Sequence, residues 1–145
     1  DGLLYVVNTG DYVNPITLAV IDPVTMTRFK VVGAFPAGSV DVHVDPAGLV
    51  YVSAFFGGTV VWSSTTETFV RDGANPVCAP LTGGGCRGAF SAQTSADGTL
   101  YQAFFGSAPD NLAPQIFRYE AGTFALSDSI DTGQGPVSIA IATFR

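Results

Sequence analysis

Little in this chain is equipped for covalent or metal chemistry, and what there is clusters in two places. The one histidine, His43, stands between two acids in Asp41-Val42-His43-Val44-Asp45. One imidazole among scattered carboxylates is an oxygen-type constellation, while zinc usually wants further nitrogen or sulfur donors. It also leaves a serine or cysteine nucleophile with few bases to call on. The two cysteines bracket Cys78-Ala79-Pro80-Leu81-Thr82-Gly83-Gly84-Gly85-Cys86. That stretch reads as a disulfide-closed loop, and free thiols are the alternative. No nearby histidine or further cysteine completes a zinc site. The glycine triplet has no phosphate-binding lysine and no helix after it, so it is loop slack. No catalytic residue, resident metal or cofactor is expected from these residue types.

The elements that hold these residues are strands. Composition already points that way: 145 residues, 47% hydrophobic, 12% charged, with 17 glycines and nine prolines spread along the chain. Such a chain has ample material for a core and is about one domain long. Six basic residues against twelve acidic ones give a net charge of −6. This disfavours nucleic acid, which needs a clustered basic face. No apolar run nears the roughly 18 residues of a membrane span. The chain opens on Asp1 with neither Met nor a signal peptide, which reads as processed, excised or truncated. The cysteine pair favours an oxidising, extracytoplasmic compartment (periplasmic, cell-surface or secreted).

A phrase recurs along the sequence. Asp45-Pro46-Ala47-Gly48-Leu49-Val50-Tyr51-Val52 returns as Ser95-Ala96-Asp97-Gly98-Thr99-Leu100-Tyr101-Gln102, and its second half opens the chain as Asp1-Gly2-Leu3-Leu4-Tyr5-Val6. Fixed-period self-similarity is the mark of a repeat architecture. Alternation and β-branched content predict strands over 3–8, 16–21, 27–35 and 40–44 in the first unit. The second unit predicts 50–55, 59–63, 68–71 and 89–94, and the third 100–105, 115–119, 124–130 and 137–142. Turn-forming stretches such as Asp22-Pro23-Val24-Thr25 separate them. No stretch has a sustained helical period, so the fold class is all-β. Three segments align without gaps: Gly38-Ser39-Val40-Asp41-Val42-His43-Val44, Gly88-Ala89-Phe90-Ser91-Ala92-Gln93-Thr94 and Gly135-Pro136-Val137-Ser138-Ile139-Ala140-Ile141. The units are therefore roughly 1–46, 47–96 and 97–145, with an innermost strand at 39–44, 89–94 and 137–142.

Repeats of this length with four short strands read as β-propeller blades. Leu4-Tyr5-Val6-Val7-Asn8, Leu18-Ala19-Val20-Ile21-Asp22 with Thr25, Val31-Val32, and Gly38 with Val40–Gly48 make the resemblance specific. The chain resembles YVTN-type propeller repeats, cousins of NHL repeats. The match departs at the cysteine loop and again at Ala108–Pro114. The resemblance implies a single propeller segment of about three four-stranded antiparallel blades, cut at the turn between innermost and second strand. Propellers have four to eight blades, so the remaining blades would come from a companion fragment of a six- or seven-bladed ring or from a second copy. A compact three-bladed monomer is a further alternative.

In that setting Asp41, His43, Ser91, Gln93 and Ser138 line the central channel, around a ligand or a water column. The plainer reading is that they hydrogen-bond between blades. The repeated Ala-Phe-Phe-Gly at 54–57 and 103–106 packs equivalent sites or displays aromatics for docking. The expected function is a non-catalytic binding or assembly module, a rigid scaffold displaying loops to protein or ligand within a larger extracytoplasmic assembly. The alternative is part of a propeller resembling lactonases or lyases, which hold a divalent cation in the channel.

Overall fold

The computed structural model describes residues 2–108, 111–133 and 135–142. Eleven strands are present among them and no helix: β1 (Leu4–Val7), β2 (Ile16–Asp22), β3 (Thr27–Phe35), β4 (Ser39–Val44), β5 (Leu49–Ala54), β6 (Gly58–Ser63), β7 (Thr68–Arg71), β8 (Ser91–Thr94), β9 (Leu100–Phe104), β10 (Gln115–Tyr119) and β11 (Leu126–Asp131). They form three antiparallel sheets, ordered β1-β2-β3, β4-β5-β6-β7 and β8-β9-β10-β11. The predicted strands agree with these to within one or two residues, except at the C-terminal end. Residues 135–142 form no ladder, and Val137 and Ile141 are exposed. A strand needs an edge to bond to, and no described strand runs beside this segment. Pro136 also removes one backbone donor.

The repeated phrase folds the same way twice. Gly48 N–H donates to Asp45 O at 3.0 Å, and Gly98 N–H donates to Ser95 O at 2.9 Å. Both glycines sit at positive φ, +82° and +84°, a region that costs a side chain dearly. An aspartate oxygen then caps each turn: Asp45 Oδ1 accepts from Leu49 N–H at 2.9 Å, and Asp97 Oδ1 accepts from Thr99 N–H at 3.0 Å. A tight turn between two apolar runs is thus encoded locally, and it pairs β4 with β5 and β8 with β9.

The sheets stack face to face, with β1 against β4 and β4 against β8. Two separate cores fill the gaps. Ile16, Leu18 and Phe35 of the first sheet meet Val50, Val52, Val60 and Trp62 of the second. On the other side, Tyr51 and Val61 meet Ala92, Leu100, Phe104, Phe117 and Tyr119 of the third. Because side chains alternate across a strand, β5 and β6 send odd and even residues into different cores. Every residue from Val50 to Ala54 and from Gly58 to Ser63 is buried.

The stack has a direction. The residues flanking the repeated tyrosine face the preceding sheet: Val50 and Val52 pack on the first sheet, and Leu100 packs on the second. The tyrosine itself faces the following sheet, as Tyr5 does toward the second and Tyr51 toward the third. Leu4 and Val6 occupy the same flanking places in β1, and they are 46% and 40% exposed. Their ladder partners Ile21 and Ala19, with Val31 beyond Ala19, extend this open apolar face. The far face of the third sheet carries Tyr101, Ile116 and Ile130. Among the described residues the three sheets are an open stack and do not close into a ring.

Candidate functional site

Four of the five channel candidates lie on the first strand of a four-stranded sheet, Asp41 and His43 on β4 and Ser91 and Gln93 on β8. His43 sits near the end of β4, half-buried, on the side facing the third sheet. Its Nε2 lies 2.8 Å from Thr94 Oγ1 and accepts from Thr94 N–H at 3.3 Å, so one ring nitrogen ties β4 to β8. The ring also lies 5.8 Å from Tyr51. Burial holds the imidazole below its ordinary value, opposed by the charges of Asp45 and Asp41. Accepting the Thr94 N–H at Nε2 also suits the neutral ring. Tyr51 donates its hydroxyl to Asp45 Oδ2 at 3.1 Å, and burial together with that carboxylate pushes the phenol well above its usual range.

Asp41 shares the His43 face of β4. Its Oδ2 is buried with no hydrogen-bond partner among the described residues. Ser91 and Gln93 alternate along β8 with Ala92, which belongs to the core against the second sheet, so they lie on the opposite face. Ser138 falls in the unpaired segment and is exposed. The five residues are therefore not brought together: Asp41 and His43 lie between the second and third sheets, and Ser91 and Gln93 lie beyond the third. Among the described residues no three His, Cys, Asp or Glu side chains converge as a metal-ion cluster. The described residues do not gather the donors that a channel cation of the lactonase type needs.

A buried polar network does join the second and third sheets. Gln102, fully buried, donates to Thr59 Oγ1 at 2.8 Å and to Val77 O at 2.9 Å, and accepts from the Tyr119 hydroxyl at 2.9 Å. Every polar atom of that amide is met, so it specifies one alignment of the two sheets. In sequence Gln102 is the last residue of the recurring phrase, at the place where β5 has Val52.

Cys78 and Cys86 form a disulfide, with Cα atoms 5.6 Å apart. The loop it closes is anchored rather than slack at its start. Val77 exchanges two backbone hydrogen bonds with Thr59, and Val77 and Ala79 are buried in the core. A closure of this size stabilises by about 2–3 kcal/mol through the unfolded chain. Arg87 follows immediately, its N–H donating to Ala79 O at 2.9 Å. The Ala-Phe-Phe-Gly copies meet near this point. Phe55 and Phe56 lie edge to face at 4.5 Å, Phe55 and Phe90 at 4.8 Å, and Phe90 and Phe105 stand 5.2 Å apart. Arg87 lies outside the aligned segments and Phe90 within the second of them, and neither carries a local signal of the other; the loop closure brings both to the aromatic row.

No protein-family model matches the chain, and no curated protein resembles it in sequence. No helix among the described residues is long and apolar enough to cross a membrane, which leaves β-barrel spans unaddressed.

Proposed function

We propose that the chain is a β-propeller segment of the YVTN/NHL type that works as a non-catalytic binding and assembly module. One observation carries this reading: among the described residues the first sheet has one strand fewer than the other two, and a segment that aligns with their first strands joins no sheet. The first sheet has three strands and begins at β1, whereas the others begin one strand earlier, at β4 and β8. Residues 137–142 align with β4 and β8 and stand outside every sheet. Gly135 opens that segment as Gly88 opens β8. A Cβ on Gly88 would strike the Phe55 carbonyl at 1.6 Å, and one on Gly135 would strike the Phe105 ring at 2.4 Å. Each glycine thus lies under the aromatic pair of the sheet before it.

The open faces point the same way. Leu4, Val6 and Val31 on one side, and Ile130 with Ile116 on the other, occupy places that the middle sheet fills with neighbours. Exposed apolar faces of this kind mark interaction surfaces. Further blades, from a companion fragment or from a second copy, would bury both faces and complete the first sheet by strand addition. The disulfide suits an extracytoplasmic setting, in which the loops at 9–15 and 81–85 offer contact surface; of the loop at 108–114, residues 109 and 110 lie outside the described residues.

Native mass measurement, together with solution scattering, tests this. A particle of two or more chains, or a complex with a larger polypeptide, is expected. The complex should weaken on Leu4→Asp or Val31→Asp. A stable single 15 kDa chain, unchanged by these substitutions and resistant to aggregation, would overturn the reading.

A further inference from the structure

The end of the sheets opposite His43 holds a pocket of about 280 Å³ where the tips of β5 and β9 meet the disulfide loop. Its walls include Phe55, Phe90, Phe104, Phe105 and Leu112, and the one charged group among its lining residues is Arg87. The guanidinium is stacked, with Cζ 5.4 Å from the ring centres of both Phe104 and Phe117. It makes a single side-chain hydrogen bond among the described residues, from Nη1 to Gln115 Oε1 at 2.6 Å. Nε is buried with no acceptor at all. Gln115 is itself committed, donating to Asp131 Oδ1 at 2.7 Å.

This is an unusual place for an arginine in an acidic chain. Twelve carboxylates face six basic side chains, and yet no described carboxylate pairs with Arg87. A guanidinium has five N–H donors in a rigid plane, and a partly buried charge ordinarily finds an opposite charge. The stacked rings and the anchored backbone fix the fork in place beside the pocket. An apolar, aromatic-walled cavity with one placed charge is the usual make-up of a small-ligand site. A fitting partner is an anion attached to an apolar body, met at Nη2, which makes no hydrogen bond among the described residues.

We propose that this pocket binds a small aromatic carboxylate, its ring among the phenylalanines and its carboxylate on Arg87. One arginine balances one negative charge, which favours a monocarboxylate over a dianion. The volume admits a ligand of one or two rings and no polymer. The disulfide has a part in this, since Cys86 lines the cavity and holds the residue before Arg87.

Titration of the whole chain with benzoate and 3-phenylpropionate, and with benzamide as the uncharged match, tests the proposal. Following the Arg87 Nε–H resonance by NMR reports on the residue itself. The carboxylates should saturate the site and move that resonance, and should bind about tenfold or more tightly than the amide, as expected of a charge-assisted hydrogen bond. Arg87→Gln should remove the preference for the carboxylate. Leu112→Trp, which fills the cavity without touching the guanidinium, should abolish binding even if Arg87→Gln proves poorly folded. Equal affinity for benzoate and benzamide, or no shift of the Arg87 resonance up to about 10 mM ligand, a weak-binding ceiling, would overturn it. So would undiminished binding to a folded Leu112→Trp chain.

Discussion

The first and second sheets share a strand pattern around a tyrosine and live in different surroundings. At equivalent places Val50 and Val52 are fully buried, and Leu4 and Val6 are nearly half exposed. Propensity and pattern are alike, since both strands alternate around a tyrosine. Neighbours make the difference: the second sheet is covered on both faces, and the first on one. The same side chain therefore contributes a core's worth of stability in one copy and little in the other. That disparity is what a stack awaiting further sheets would show.

Substitution can break this contrast. Trp62→Ala, in the covered sheet, should cost about 3–5 kcal/mol and leave little folded chain at ambient temperature. Val31→Ala on the open face should change the isolated chain by about 0.5 kcal/mol or less. Chemical denaturation of both variants measures the gap. Similar losses at the two positions would mean that the open face is covered in solution.

The second contrast lies between Val52 and Gln102, which hold equivalent places in β5 and β9. Gln102→Val copies the second sheet into the third. It strands the buried Tyr119 hydroxyl and takes one of two donors from the Val77 carbonyl, and it should cost about 2–3 kcal/mol. A near-neutral result would show that the amide network aligns the sheets without stabilising them. Adding Tyr119→Phe should then recover part of the loss.

The smallest effect concerns His43. Its folded value lies below that of the free side chain, so the unfolded chain takes up the proton first as pH falls. Stability is complete above the ordinary imidazole value near about 6.5 and declines as pH drops toward the folded value. Denaturation at a series of pH values between about 7.5 and 5 should show this slope, and His43→Gln should flatten it. The aspartates of the turns act in a separate window. Asp97, held to about 2 by the Ser95 hydroxyl and the Thr99 amide, gives up its contribution only in stronger acid. A slope that survives in His43→Gln would move the titration to another group.

Much of the strand plan was legible because it is local. Asp-x-x-Gly and Ala-Asp-Gly turns carry their own geometry, the positive φ at Gly48 and Gly98 and the aspartate caps, and they fix where β4 meets β5 and where β8 meets β9. Alternation over Val40–Val44 already placed His43 and Asp41 on the face away from the valines. What lay opposite that face was a matter of packing. Thr94 is 51 residues away from His43, and nothing in its own surroundings announces a partner.

By itself, then, the sequence determined the elements: an all-β chain of short strands, and turns whose chemistry is written within four or five residues. Tertiary structure alone decided the meetings between them. It separated Asp41 and His43 from Ser91 and Gln93, because successive strands of a directional stack present equivalent residues to successive gaps rather than to one centre. It left residues 137–142 without a ladder, because a strand is completed by its neighbour and not by its own pattern. It also set Arg87 against Phe104 and Phe117, rings that meet it only where distant segments close on one another.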